Sequence, residues 1–120
     1  MARVLIVDDS PTETHKLTTM LEKNGHAVLT ATNGESGVDV AREQRPDVIL
    51  MDIVMPGLNG FQATRQLSKG GETAGIPVVI VTTKDQDTDR VWGMRQGASA
   101  YLTKPVDEGK LLGTIAEVLA

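Results

Sequence analysis

Three aspartates in this sequence stand directly after short runs of apolar residues. Asp8 and Asp9 follow residues 4–7, and Asp52 follows Val48–Met51. Such runs are typical of strands that are buried on both faces of a parallel sheet. Because the carboxyl ends of parallel strands share one edge, where open α/β sheets bind ligands, the three carboxylates are expected to converge. Their repulsion predicts a divalent cation among them.

Magnesium suits this set of side chains. Mg²⁺ takes oxygen ligands, keeps several waters and often completes its shell with a substrate phosphate. Asp8, Asp9 and Asp52 supply such oxygens, and a backbone carbonyl after Asp52 is a further candidate. The alternative is that Asp8 only caps the next helix and Asp52 only marks a strand end. An adjacent pair plus a third carboxylate on another strand favours the metal site.

A hydroxyl and an ammonium are expected at the same edge. Thr82 follows the fourth apolar run and Lys104 follows the fifth. These groups complement the oxygens of a phosphoryl group, although each alone is more typical of a strand end or a solvated surface. A carboxylate can attack a phosphoryl group to give an aspartyl phosphate. Asp52 is the predicted nucleophile, because Asp8 and Asp9 are better placed as metal ligands.

Strand-like and helix-like patterns alternate five times along the chain. Each helix begins near a capping residue or a turn, as at Ser10-Pro11-Thr12-Glu13, which has the form of a capping box with proline at the first helical position. Strands are predicted at Arg3–Val7, Ala27–Ala31, Val48–Met51, 78–81 and Ala100–Thr103, and helices from Ser10 to about Asn24, from Asn33 to Gln44, over 61–68, over 88–96 and from Asp107 to the C-terminus.

This alternation predicts an α/β fold, a (βα)5 three-layer sandwich with a parallel sheet and right-handed crossovers. The strand order 2-1-3-4-5 is chosen because it places strands 1 and 3 side by side, where their carboxylates meet. One domain over residues 1–120, with no output domain, is expected.

Composition excludes several classes of function. The net charge is −4 and only three residues are aromatic, which argues against a nucleic-acid-binding protein. The absence of cysteine excludes disulfides and thiol catalysis. No apolar stretch approaches the roughly 18 residues of a membrane span, so no membrane insertion and a cytoplasmic location are expected.

Four segments together resemble the response-regulator receiver domain, over the whole chain. They are Ile-Val-Asp-Asp-Ser at 6–10, Met-Asp-Ile-Val-Met-Pro-Gly-Leu-Asn-Gly at 51–60, Thr-Thr at 82–83 and Tyr-Leu-Thr-Lys-Pro at 101–105. The resemblance is to single-domain, CheY-like receivers. Residues 52–67 and 82–92 are most similar to the receivers of type IV pilus chemosensory systems, which control twitching motility.

The resemblance implies roles for the site residues. Asp52 would accept phosphate from a CheA-like histidine kinase or a small phosphodonor. Asp9, Asp52 and the Val54 backbone carbonyl would ligate Mg²⁺, and Asp8 would act through water. Lys104 would pair with the phosphate and precede a cis peptide bond to Pro105. Such a protein signals and is not an enzyme, apart from its own phosphotransfer and autodephosphorylation.

The resemblance also implies a switch. Thr82 would move onto the phosphate and Tyr101 would rotate inward behind it. The output surface would be formed by the fourth helix, fifth strand and fifth helix. The protein, expected to be a monomer, would bind a motor or regulatory protein or act as a phosphate sink for a sister receiver. The residues expected on the output surface are Arg90, Met94, Tyr101 and Lys110.

Three further positions bear on the phosphorylated lifetime and on the core. Val54 and Lys84 lie two residues beyond Asp52 and Thr82, where receivers vary. An apolar valine should hinder an attacking water, which predicts a longer phosphorylated lifetime than in chemotaxis receivers with Asn and Glu at these positions. Trp92 is expected to be a core residue in preference to a partner contact.

Two other functions fit less well. A haloacid-dehalogenase-type phosphohydrolase needs Asp-x-Asp after the first strand, but Asp8 and Asp9 are adjacent and Asp52 lies on another strand. A flavodoxin would place the phosphate of FMN against Asp8 and Asp9, which would repel it.

Overall fold

Strands and helices alternate strictly in the computed structural model, which describes all residues 1–120. The predicted number and order of elements are confirmed. In chain order the elements are β1 (Arg3–Val7), α1 (Pro11–Lys23), β2 (Ala27–Ala31), α2 (Gly34–Gln44), β3 (Val48–Met51), α3 (Gly60–Lys69), β4 (Val78–Thr82), α4 (Asp87–Arg95), β5 (Ala100–Thr103) and α5 (Glu108–Leu119).

The five strands form one parallel sheet in the order β2-β1-β3-β4-β5, as predicted. β1 and β3 are neighbours, and Val7 lies beside Met51 in their register. The chain therefore leaves these two strands at the same level of the sheet, with Asp8 and Asp52 as the next residues.

Helices cover both faces of the sheet, because each central strand carries apolar side chains on both of its faces. Leu17 and Leu21 of α1 and Leu111 and Ile115 of α5 pack with one set of strand residues. α2 and α3 pack with the other set, which includes Val7 and Met51. α4 lies over Ile80 on that second face. The three-layer arrangement places every βα loop at the edge where the carboxylates are.

Helix α3 is longer than the sequence pattern predicts. It begins at Gly60 because Asn59 and Gln62 form a reciprocal capping box. Asn59 Oδ1 accepts from the Gln62 N–H and Gln62 Oε1 accepts from the Asn59 N–H, each at 3.0 Å. This Asn-x-x-Gln signature is readable in the sequence. Strand β4 also extends to Thr82, which pairs with Thr103, and α4 starts and ends one residue earlier than predicted.

The capping box predicted at Ser10 is only half formed. Ser10 Oγ accepts from the Glu13 N–H at 3.3 Å, and Pro11 occupies the first helical position. The Ser10 N–H, which the Glu13 side chain would take in a complete box, donates instead to Asp8 Oδ1 at 2.9 Å. Asp8 is thereby fixed to the start of α1.

The expectation that Trp92 belongs to the core is wrong. Its side chain is 50% exposed, beside the exposed Val91 and Met94. The position of α4 that faces the sheet is Gly93, where a Cβ would lie only 2.7 Å from Ile80 Cδ1. The helix lies too close to the sheet there to bury an indole. None of the helices has the length and apolar character that a membrane span requires.

Candidate functional site

The three aspartates converge at the edge of the sheet, as predicted. One carboxylate oxygen from each of Asp8, Asp9 and Asp52 lies within 4.8 Å of the others. Asp8 and Asp52 are buried, and Asp9 faces solvent. Two of the three carboxylates therefore lack most of the hydration that stabilises a negative charge in water.

Lys104 is the one cation in this cluster. Its Nζ lies 2.7 Å from Asp8 Oδ2 and 3.6 Å from Asp52 Oδ2, and only 7% of its side chain is exposed. The backbone holds it in place, because the Lys104 N–H donates to the Thr82 carbonyl at 2.8 Å. The peptide bond to Pro105 is cis, as the resemblance implied.

The charges in the cluster do not balance. Burial raises the pKa of Asp52, Lys104 opposes this rise, and the nearby charge of Asp8 adds to it. Burial acts to lower the pKa of Lys104, but its hydrogen bond to Asp8 and the charge of Asp52 outweigh that effect, and the pKa is raised. One ammonium thus faces three carboxylates.

The donor set fits a hard divalent cation. It consists only of oxygen atoms, with no histidine or thiol among them, and carries excess negative charge. Asp52 Oδ1 accepts from the Ile53 N–H at 2.8 Å, which fixes the orientation of that carboxylate. The exposed Asp9 leaves room for waters on the outer side, which Mg²⁺ usually retains.

The comparisons with known proteins agree with this geometry. The response regulator receiver domain family matches residues 4–116. The chain belongs to this family. It is 73% identical to Protein PilH of Pseudomonas aeruginosa strain PAO1 over 120 residues, which cover 100% of this chain and 99% of that protein. The match does not favour a phosphohydrolase or a flavodoxin.

Solved structures support the same assignment. Chemotaxis protein CheY4 of Vibrio cholerae superimposes with a TM-score of 0.92 at 32% identity, covering 99% of each chain. The receiver domain of the sensor histidine kinase PA1611 of P. aeruginosa PAO1 gives a TM-score of 0.91 at 29% identity, covering 98% of this chain and 97% of that one. In that structure a magnesium ion is coordinated in the active site cleft.

Thr82 lies beneath the carboxylates of this receiver domain. It is fully buried, and its hydroxyl lies near enough to Asp52 to act to lower the pKa of that carboxyl, against the larger effect of burial. The Lys84 N–H donates to Thr82 Oγ1 at 3.4 Å, a long hydrogen bond. The hydroxyl thus lies at the sheet edge that the sequence predicts. Its hydrogen bond from the loop before α4 is weak because it is long.

Tyr101 already lies inward. It is 6% exposed, and its hydroxyl donates to the Lys84 carbonyl at 2.7 Å. Gly93 leaves space for the ring, because a Cβ there would lie 3.2 Å from it. The Arg90 guanidinium is 5.0 Å from the ring centroid and donates to the Tyr101 carbonyl at 3.2 Å. Burial raises the pKa of the phenol, and the charge of Asp89 adds to the rise while that of Arg90 opposes it.

The four residues expected on the output surface do not all line the same cleft. Arg90, Tyr101 and Lys110 line one cleft of about 280 Å³ between α4 and the start of α5. Met94 is 44% exposed and lies outside that cleft. Val54, in the loop after Asp52, is 55% exposed.

Sequence reasoning gave Gly60 no role beyond its place in the segment 51–60, yet it packs against the site. A Cβ on Gly60 would collide with the Asp52 carbonyl oxygen, so only glycine lets α3 begin there. The Gly60 N–H donates to the Ile53 carbonyl at 3.0 Å. The preceding Asn59 and its capping partner are the signal that could have drawn attention to this position.

We predict that Gly60→Ala lowers the free energy of unfolding by about 2 kcal/mol or more, because the methyl group must displace backbone. Gly71→Ala is the matched control, since no atom lies within 4 Å of its Cβ position. Its effect should stay within about 0.5 kcal/mol. Urea unfolding measures both, and equal effects would contradict the close contact at Asp52.

We predict that Asp52→Asn raises the melting temperature in EDTA by a few degrees. The amide keeps an oxygen for the Ile53 N–H and removes one buried, repelled charge. Asp39→Asn, on the exposed surface of α2, should change little. A lower melting temperature for Asp52→Asn would show that the pairing with Lys104 outweighs the repulsion.

Proposed function

We propose that this protein is a phosphorylation-switched signalling module whose phosphoacceptor is Asp52. The observation that carries the proposal is the convergence of three carboxylates and one buried ammonium at a single sheet edge. A carboxylate nucleophile beside a metal and a cation is suited to phosphoryl transfer, which depends mostly on positioning and charge stabilisation. The family membership and the similarity to PilH support this function.

Asp9, Asp52 and the Val54 backbone carbonyl would hold Mg²⁺, with Asp8 acting through a water. When bound, the ion supplies charge stabilisation to the transferred phosphoryl group. The acidic cluster supports this assignment, as does the magnesium in the PA1611 receiver domain. Lys104, already charged and buried beside Asp52, would contact a phosphoryl oxygen.

The transfer would proceed from a histidine kinase's phosphohistidine or a small phosphodonor. An Asp52 carboxylate oxygen forms a bond to phosphorus as the bond from phosphorus to the donor atom breaks. From phosphohistidine that atom is nitrogen, and the imidazole leaves with the electron pair and takes up a proton from solvent. From acetyl phosphate it is oxygen, and acetate leaves with the electron pair. Thr82 would then move onto the phosphate, since its hydroxyl already faces Asp52.

The output would pass through Tyr101 to the face formed by α4, β5 and α5. Arg90 and Lys110 border the cleft beside Tyr101, and Met94 adds an exposed apolar contact. We propose a cytoplasmic monomer that receives phosphate from a CheA-like kinase in type IV pilus signalling and then binds a motor or regulatory protein. A pull-down with and without beryllofluoride separates such binding from a phosphate sink, which requires no partner.

The first prediction of this proposal concerns the label. Incubation with Mg²⁺ and acetyl phosphate or a phosphorylated kinase should give an acid-stable, base-labile phosphoryl label on the wild type and none on Asp52→Asn. The amide cannot act as the nucleophile. Labelling of the variant at the wild-type level would remove Asp52 from its role.

The second prediction concerns the lifetime of the phosphorylated state. Val54→Asn should accelerate dephosphorylation, because an amide can orient the attacking water that an exposed valine side chain excludes. The decay of labelled protein after removal of the donor measures the rate. An unchanged or slower decay contradicts the role assigned to the valine side chain.

A further inference from the structure

Glu35 lies in the first turn of α2, outside the aspartate cluster, yet it contacts the loop that follows Asp52. The Leu58 N–H donates to Glu35 Oε1 at 2.7 Å. No other hydrogen bond joins the backbone of residues 53–58 to a side chain beyond Asp52. A charged acceptor makes this one of the stronger kinds of hydrogen bond.

The backbone around this bond is shaped to make it. Gly34 lies so close to Leu58 that a Cβ there would collide with the Leu58 carbonyl oxygen. Gly57 has a φ of +75°, a conformation that favours glycine, and turns the chain toward α2. A Cβ on Gly57 would lie 3.2 Å from the Glu35 carboxylate. The loop and the helix are thus fitted to each other over three residues.

The remainder of the loop has few other attachments. Val54 is 55% exposed and takes part in no hydrogen bond. On one side of it the Ile53 carbonyl accepts from the Gly60 N–H, and on the other Met55 buries its side chain against α2 and α3. The place of the Val54 carbonyl therefore depends on the bond between Ile53 and Gly60 before it and, after it, on Met55 and the bond between Leu58 and Glu35.

We propose that Glu35 is a positioning residue for the magnesium site, acting through Leu58 on the loop that carries the Val54 carbonyl. This inference rests on the proposed function, because it assumes that this carbonyl is a ligand. Glu35 itself is not a ligand, since it is not among the converging carboxylates. It links α2 to the one part of the site that no strand holds.

The test is a titration of the full chain with Mg²⁺ alone, in which isothermal titration calorimetry measures the binding. Glu35→Ala should weaken Mg²⁺ binding about three- to tenfold, the range that follows from losing one hydrogen bond. Glu35→Gln should bind like the wild type, because its amide oxygen still accepts from the Leu58 N–H. Asp39→Ala removes the same charge from an exposed position of the same helix and should have no effect.

Two further readouts separate positioning from general damage. Hydrogen exchange of the Leu58 amide should accelerate in Glu35→Ala and not in Glu35→Gln. The rate of labelling by acetyl phosphate in Glu35→Ala should return to the wild-type value at saturating Mg²⁺.

Wild-type affinity in Glu35→Ala would overturn the inference and leave the proposed function intact. Equal losses in all three variants would overturn it too, because they indicate a charge effect. A wild type that does not bind Mg²⁺ would overturn both.

Discussion

Repulsion among Asp8, Asp9 and Asp52 is the constraint on which the rest of this structure depends. At separations of 4.8 Å or less, two charges repel by about 3.5 kcal/mol or more at an effective dielectric constant of about 20. Lys104 offsets only part of this. The rest of the repulsion is offset by burial of the strands. Each fully buried aliphatic side chain of β1 and β3 stabilises the fold by roughly 1.5–3 kcal/mol. Two adjacent strands that are apolar on both faces are therefore a physical requirement of the acidic edge.

Lys84 connects this edge to α4 through its backbone. Its N–H donates to the Thr82 hydroxyl and its carbonyl accepts from the Tyr101 hydroxyl. A movement of Thr82 toward Asp52 would remove the first of these bonds and shift the acceptor of the second. Arg90 would respond in turn, because it stacks on the Tyr101 ring. A charge change at Asp52 would thus reach the surface through the contacts of Thr82 and Tyr101 with Lys84 and of Tyr101 with Arg90.

The fold and the acidic site could be predicted because their signals are local. Apolar runs define the strands, Asn33 caps α2 as expected, and the aspartates themselves suggested the strand order. The inward position of Tyr101 could not be predicted, because it depends on space left by Gly93 and on a partner at Lys84. The exposure of Trp92 has the same origin, since the distance of α4 from the sheet is a tertiary property. Glu35 was missed because its partner is 23 residues away.

Some contacts around the site hold their residues more tightly than others. The difference indicates which part of the structure would move when the charge at Asp52 changes. Asp8 is tied to the start of α1, and α3 begins in direct contact with the Asp52 carbonyl. Both of these attachments resist displacement, because backbone that is closely packed cannot shift without a clash. On the β4 side the only bond to the Thr82 hydroxyl from α4's loop is 3.4 Å long, and α4 buries a single residue, Gly93. Added charge at Asp52 would therefore meet rigid structure on the α1 and α3 sides and less tightly held structure toward α4, so the same packing that fixes the acidic edge would direct its response.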